Sequence, residues 1–159
     1  MRILPSLIAL LCAFLAGGCS TGRSYHAFDS HWSLGYNDTR MGEDVWSVSY
    51  RGYEISQGEA NDYALLRAAE VTAAAGYRYF TVTNEQNSTS TTAVGTFNSY
   101  QGTGSGFMSS TSYPEVRLSI KAFKEKPAGT SSVLDNQYLA PALRQKYNLG
   151  KKAPKRLGR

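Results

Sequence analysis

The sequence predicts an α+β domain: a small, mainly antiparallel sheet with one principal helix packed on one face, in the order strand, helix, strand, strand. Three observations carry this. Two short runs, Val45 to Arg51 and Glu115 to Ala122, alternate apolar and polar residues, the period of a half-buried strand. Between them lies an Ala- and Leu-rich stretch, Asp62 to Ala75, closed by Gly76. After it, Tyr77 to Asn84 is β-branched and aromatic, so strand, helix and strand follow within about 40 residues as a βαβ-like unit, whose crossovers are right-handed.

Each element has its own warrant. In the first strand Trp46, Val48 and Tyr50 face one way and Ser47, Ser49 and Arg51 the other. Ser56 and Glu59 have capping-box spacing for the helix start, with Asn61 as a competing cap. Glu59 and Asp62 suit the positive end of the helix dipole. Ala64, Leu65, Ala68, Ala69, Val71, Thr72 and Ala75 form one wide stripe of mostly small side chains, which lets the helix lie close to a sheet. Tyr63, Leu66, Arg67, Glu70, Ala73 and Ala74 fall opposite. Gly76 is placed where a left-handed residue stops a helix. In the next strand Phe80 and Val82 share a face, with Tyr79 and Thr81 behind them. The cleanest alternation is the last: Val116, Leu118, Ile120 and Ala122 against Glu115, Arg117, Ser119 and Lys121, ended by Lys124-Glu125-Lys126-Pro127. Asp135 to Tyr147 reads as a short helix in which Tyr138, Leu139, Leu143 and Tyr147 recur, with Pro141 making it late or bent.

Two stretches lack such patterning. Leu34 to Asp38 reads as a turn from its Gly and Asn-Asp chemistry. Residues 84–114 are rich in Ser, Thr and Gly with isolated Val94, Phe97, Tyr100, Phe107 and Met108. That composition fits a long, weakly specified hairpin or a mobile loop; a flexible loop flanked by strand extensions is the reading taken here. Gly102 to Gly106 is no phosphate loop, because the Lys-Ser/Thr ending is missing and no apolar helix follows.

The N-terminus sets the location of everything after it. Arg2 precedes the apolar run Ile3 to Leu15, a secretory signal layout too short for a bilayer span of about 20 residues. Leu15-Ala16-Gly17-Gly18-Cys19 follows. Small residues directly before a cysteine resemble the bacterial lipobox, with Ala16 standing where Leu is most usual. A diacylglyceryl thioether on Cys19, cleavage before it and acylation of the freed amine would anchor the chain, since each buried methylene contributes about 0.8 kcal/mol. Ordinary secretion is the alternative, because Ala16-Gly17-Gly18 also fits a small-x-small cleavage site. Ser20 in place of Asp after Cys19 favours the outer membrane under the enterobacterial sorting habit.

The expected organisation is therefore a signal peptide over 1–18, a lipid-anchored tether over 19–40, the α+β domain over 41–126 with the insert 84–114, and a short helix plus basic disordered tail over 127–159. Loss of 1–18 from the 159 residues leaves 141, enough for one core. It also leaves Cys19 as the lone thiol, so no disulfide or zinc site is expected. Charge is uneven: residues 136–159 hold seven Lys/Arg and no Asp/Glu, whereas 19–135 hold nine basic and twelve acidic residues. A mildly acidic body with a basic tail is not a nucleic-acid binder.

Several pieces together, Leu34-Gly35-Tyr36, Val48-Ser49-Tyr50-Arg51-Gly52, Tyr63-Ala64-Leu65-Leu66-Arg67-Ala68-Ala69-Glu70 and Gly76-Tyr77-Arg78-Tyr79-Phe80, resemble a family of small, functionally uncharacterised lipoproteins of Alphaproteobacteria and other Gram-negative bacteria. The resemblance covers roughly Gly35 to Lys124. It implies the lipid anchor and the fold; it implies no catalytic or ligand residues.

Candidate chemistry is sparse. His26 and His31 stand alone in the tether, with no further ligands for a metal. Arg67 and Glu70, three apart on the exposed helix face, form a surface ion pair worth a few tenths of a kcal/mol. Serine is abundant, but there is no Gly-x-Ser-x-Gly elbow and no histidine in the folded body to serve as base. Among eleven tyrosines, Tyr77, Tyr79, Tyr100 and Tyr113 would line an aromatic face or pack across strands. Lys146, Lys151, Lys152, Lys155, Arg156 and Arg159 would meet anionic lipid, lipopolysaccharide or another acidic envelope polymer, each contributing about 1 kcal/mol. The expected function is a non-enzymatic cell-envelope lipoprotein without cofactor or metal, an accessory or interaction module facing the periplasm. Its partners would be the bilayer through acylated Cys19 and an envelope protein or anionic polymer. The rivals are a binding module for an anionic polymer through the tail and, third, an envelope hydrolase.

Overall fold

The structure, a computed structural model, describes residues 25–100, 103–130 and 132–150; for 97–100 and 103–105 it describes the backbone alone. Five antiparallel strands form one sheet: β1 (Gly35–Arg40), β2 (Val45–Arg51), β3 (Tyr79–Tyr100), β4 (Thr103–Phe123) and β5 (Leu134–Asp135). Their spatial order is β1-β2-β4-β3-β5. Helix α1 (Gln57–Ala74) joins β2 to β3, and α2 (Asn136–Lys146) follows β5. Because β2 and β3 each run antiparallel to β4, they are parallel to each other with β4 inserted between them. The α+β class and the antiparallel sheet with a principal helix are thus present, extended by β1 and β5 at the two edges.

The period-2 runs dictate the core. Trp46, Val48, Tyr50, Phe80, Val116, Leu118, Ile120 and Ala122 are buried under α1. Their alternates Ser47, Ser49, Arg51, Arg117 and Lys121 lie half-buried or exposed on the opposite face, the usual arrangement of an antiparallel sheet with one solvated side. Ala60, Ala64, Ala68 and Ala69 are fully buried, so the small stripe does bring α1 close to the sheet. The buried face is rotated from the stripe predicted: Tyr63 and Leu66 lie in the core, while Leu65 and Val71 are half-buried and Ala75 is exposed. Tyr63 packs against Tyr25, Tyr50 and Tyr147 rather than facing water, because α2 and the N-terminal segment also pack on α1.

The caps match the sequence closely. Ser56 Oγ accepts from the Glu59 N–H at 3.0 Å. The Glu59 carboxylate turns to the Tyr63 hydroxyl at 2.8 Å. Gly76 (φ +83°) ends α1, with its N–H on Ala73 O and the Tyr77 N–H on Thr72 O, the paired bonds of a Schellman motif. Helix α2 starts at Asn136 rather than late: Asp135 Oδ1 accepts from the Gln137 N–H at 2.9 Å, and Pro141 sits within the helix. It ends on the same motif, with Asn148 in the left-handed position.

Three expectations need correction. Gly35 to Asp38 is not a turn but the start of β1, whose first residue takes φ +100°; the reversal lies just before it, at residues 30–33, where Ser33 has φ +53° and Leu34 bridges back to Asp29. Residues 25–40 are not a tether. Tyr25 and Ala27 are buried, and the Tyr36 N–H and Phe28 N–H bond His26 O and Tyr36 O at 2.8 Å. Residues 84–114, read as a flexible loop, are the long β3–β4 hairpin. Pairing runs unbroken from Asn84↔Ser119 to Tyr100↔Thr103 after one bulge at Thr83. The Ser and Thr side chains from Ser88 to Thr96 and at Ser109 and Ser110 are exposed on the ribbon, and backbone pairing begun at Phe80↔Ala122 carries the register outward.

Candidate functional site

Four charged side chains converge under the β1 edge of the sheet. Arg67, on the turn of α1 that passes over β1, donates Nε and Nη2 to Asp38 Oδ1 at 2.9 and 2.8 Å and Nη1 to Glu70 Oε2 at 3.2 Å. Arg144 of α2 closes on Glu70 Oε1 from the other side, and the Tyr25 hydroxyl donates to Glu70 Oε2 at 2.8 Å. The Arg67 guanidinium also lies 4.3 Å above the Tyr36 ring, a cation–π contact. All four charged side chains are nearly buried, at 10–14% exposure. The expected exposed Arg67–Glu70 surface pair is therefore corrected: the pair exists, but within a covered network that ties β1, α1, α2 and the N-terminal segment together. Burial depresses the Arg67 pKa, and the hydrogen bond and charge of Asp38 more than offset it, leaving the guanidinium firmly charged. Burial, then the charge of Glu70 and its hydrogen bond, pushes the Tyr25 phenol far up, so it stays neutral.

Around this network stands a tyrosine cluster. The rings of Tyr25 and Tyr36 are 4.9 Å apart, Tyr50 and Tyr63 5.0 Å, and Tyr63 and Tyr147 4.8 Å. The tyrosines that the sequence singled out are elsewhere and apart. Tyr77 packs edge-on against Trp46, Tyr113 against Tyr53, and Tyr79 under Arg78; the Tyr100 side chain lies outside the described atoms. Tyr77, Tyr79 and Tyr113 pack against separate neighbours and form no common face.

The remaining predicted residues divide in two. Leu15, Ala16, Gly17, Gly18 and Cys19, and Lys151, Lys152, Lys155, Arg156 and Arg159 of the tail, lie outside the described residues. Lys146 is described and already held: its Nζ is 2.6 Å from Asp62 Oδ2, which also accepts from the Tyr147 hydroxyl at 2.7 Å. Asp62 thus anchors α2 to α1, where its place near the helix start suggests only an interaction with the helix dipole. His26 Nδ1 lies 2.8 Å from Ala27 O, and His31 packs edge-on against Trp32. Among the described residues no three His, Cys, Asp or Glu side chains gather to hold a metal, and no helix is long and apolar enough to cross a membrane. An open hollow on the solvated face is lined by Gln86, Asn87, Ser88, Glu115 and Arg117, where Arg117 and Glu115 pair at 3.1 Å.

One feature escaped the sequence reading. Beyond the end of β2, which stops opposite Glu115, the β3–β4 hairpin runs on as a two-stranded arm. Eleven residue pairs, Ser90↔Tyr113 to Tyr100↔Thr103, project roughly 35 Å at about 3.3 Å per residue. The arm exposes Val94, Phe107 and Met108 at 63, 72 and 79%. No Asp, Glu, Lys or Arg occurs from Gln86 to Pro114.

Comparisons of the chain with protein-family models, with curated proteins and with solved structures gave no match.

Proposed function

We propose that the chain is a non-enzymatic lipoprotein of the cell envelope, acylated on Cys19, and that it serves as an interaction module. Under this reading it belongs with the small alphaproteobacterial lipoproteins that its Leu-Arg-Ala-Ala-Glu and Gly-Tyr-x-x-Phe runs resemble. The observation that carries the reading is the stretch Leu15-Ala16-Gly17-Gly18-Cys19 at the end of a short apolar segment. The arrangement of charges in the body supports the non-enzymatic part. Asp38 and Glu70 are paired with Arg67, Arg144 and Tyr25, and Asp62 with Lys146 and Tyr147. A general acid or base needs a free position toward substrate. The uncharged arm, held away from the body, supports the interaction part: it offers backbone and hydroxyl groups rather than reactive ones.

Palmitate labelling of the intact chain, followed by cross-linking in the envelope, tests this. The reading expects label on the wild-type chain, none on Cys19→Ser, and specific adducts from the arm. Label-free wild-type chain in the soluble fraction would refute it. The rival reading, capture of an anionic polymer by the tail, loses Lys146 to its ion pair with Asp62 and rests on the five cations beyond residue 150. Truncation after Gly150 that leaves binding to anionic liposomes or lipopolysaccharide unchanged would remove it.

A further inference from the structure

Strand β3 has two edges. One pairs with β4 from Tyr79 to Tyr100. The other is covered by β5 at Tyr79 and Phe80 only; from Thr81 outward no described strand pairs with it. A row of open backbone N–H and C=O groups is a template for another strand, and proteins ordinarily block it with charge, proline or a short edge. Here the blocking residues are missing. The edge is long, and after Glu85 it carries no charge and no proline as far as Tyr100. The arm also lacks support of its own. Past Tyr113 its strands are held by each other and by the Glu54 N–H bond to Ser112 O at 3.0 Å, and an isolated two-stranded ribbon is marginal in water.

We propose that this edge is a strand-pairing site and that its occupant is the same edge of a second copy of the chain, antiparallel about a two-fold axis. The inference rests on the interaction-module reading and gives that module its partner. The occupant must be extended, uncharged and itself open along a comparable length; β3 of a second copy meets all three conditions. A two-fold axis through Thr92 pairs the whole strand beyond the Thr83 bulge, placing Asn84 opposite Tyr100 of the other copy and Ser90 opposite Val94. Glu85, the one charged residue on this stretch, then faces Ser99, so no like charges oppose one another, which is the arrangement cross-strand pairs require. An anionic polymer finds no cation on the arm to hold it. An isologous contact of this kind closes at two copies and does not propagate.

The test uses the full-length chain. Thr92 is exposed, and the axis places it opposite itself. Sedimentation of the chain carrying Cys19→Ser should show a dimer. Thr92→Lys should weaken self-association about five-fold or more through a directly opposed like-charged pair, as should Thr92→Glu. An equimolar mixture of the two variants should restore association, a result that no general loss of folding produces. In intact cells Thr92→Cys should give a disulfide-linked dimer, because directly opposed residues lie within bridging distance. A monomeric wild-type chain, a dimer indifferent to Thr92→Lys, or cross-linking through residue 92 to another protein alone would overturn the proposal. Failure of the function reading looks different: an unacylated, soluble chain that still cross-links through Thr92→Cys keeps the edge and loses the anchor.

Discussion

Arg67 shows how far a residue's role depends on what folds over it. Three positions before Glu70 on a helix, it reads as half of a weak surface pair. Asp38, Arg144 and Tyr25 arrive from distant parts of the chain and cover it, and sequence spacing contains no trace of them. A covered pair behaves differently from an exposed one, because removing one partner strands the other charge away from water. Replacing Arg67 with Met should lower unfolding free energy by about 3 kcal/mol, measured by urea titration; a loss under 0.5 kcal/mol would return the pair to the surface class. Tyr25 makes a pH prediction. Its folded pKa is raised above the ordinary value of 10.0 by burial and by Glu70, and Tyr50 is raised by burial with Tyr63 and Glu59 beside it. A group raised on folding contributes stability that is complete below the unfolded pKa and is lost as pH rises. Stability should therefore fall above pH 10, with part of the phenolate absorbance appearing only as the chain unfolds. Smooth titration of all eleven tyrosines ahead of unfolding would contradict this.

At the scale of the element, the most legible parts were those whose pattern is set by local sterics and burial. The alternation of Val116 to Ala122, the Ser56 cap and the Gly76 stop follow from the chain itself and stand as read. Strand β1 was hidden because Gly35-Tyr36-Asn37-Asp38 has turn chemistry, yet Gly35 is needed for another reason. At φ +100° an added Cβ would sit 2.7 Å from His26 O and 2.8 Å from Ala27 O. Gly35→Ala should cost more than Gly76→Ala, which meets nothing within 4 Å and carries mainly the left-handed penalty of roughly 1–2 kcal/mol. Thermal unfolding of the two variants compares them, and equal losses would mean that the segment 25–29 yields freely. Asn136 is a second hidden element signal. It is 4% exposed, and its Nδ2 donates to Thr72 Oγ1 and Tyr77 O, both at 2.9 Å, fastening α2 to the end of α1. Asn136→Ala should destabilise by about 1–3 kcal/mol, read by the same melt, and a variant as stable as wild type would show that α2 docks without it. The arm was the hardest to read, because Ser, Thr and Gly look alike in a loop and in a two-faced polar ribbon.

Among the described residues the molecule is a sheet with one face closed by α1, on which α2 packs, one face open, and an uncharged ribbon extending past its end. Asp38, Asp62, Glu70 and Asp135 are taken up in holding the parts together, whereas Glu43, Glu54, Glu85 and Glu125 stay exposed. Lipid at Cys19 would hold the body, in which Tyr25 is already buried, within a few residues of the membrane surface, and would confine copies to a plane where even weak edge pairing is favoured by high effective concentration. The central claim is the anchor, and acyl labelling of the intact chain against Cys19→Ser tests it most directly. Label on the wild-type chain together with an unlabelled Cys19→Ser chain released from the membrane is the predicted result. Membrane attachment that persists without label would contradict it.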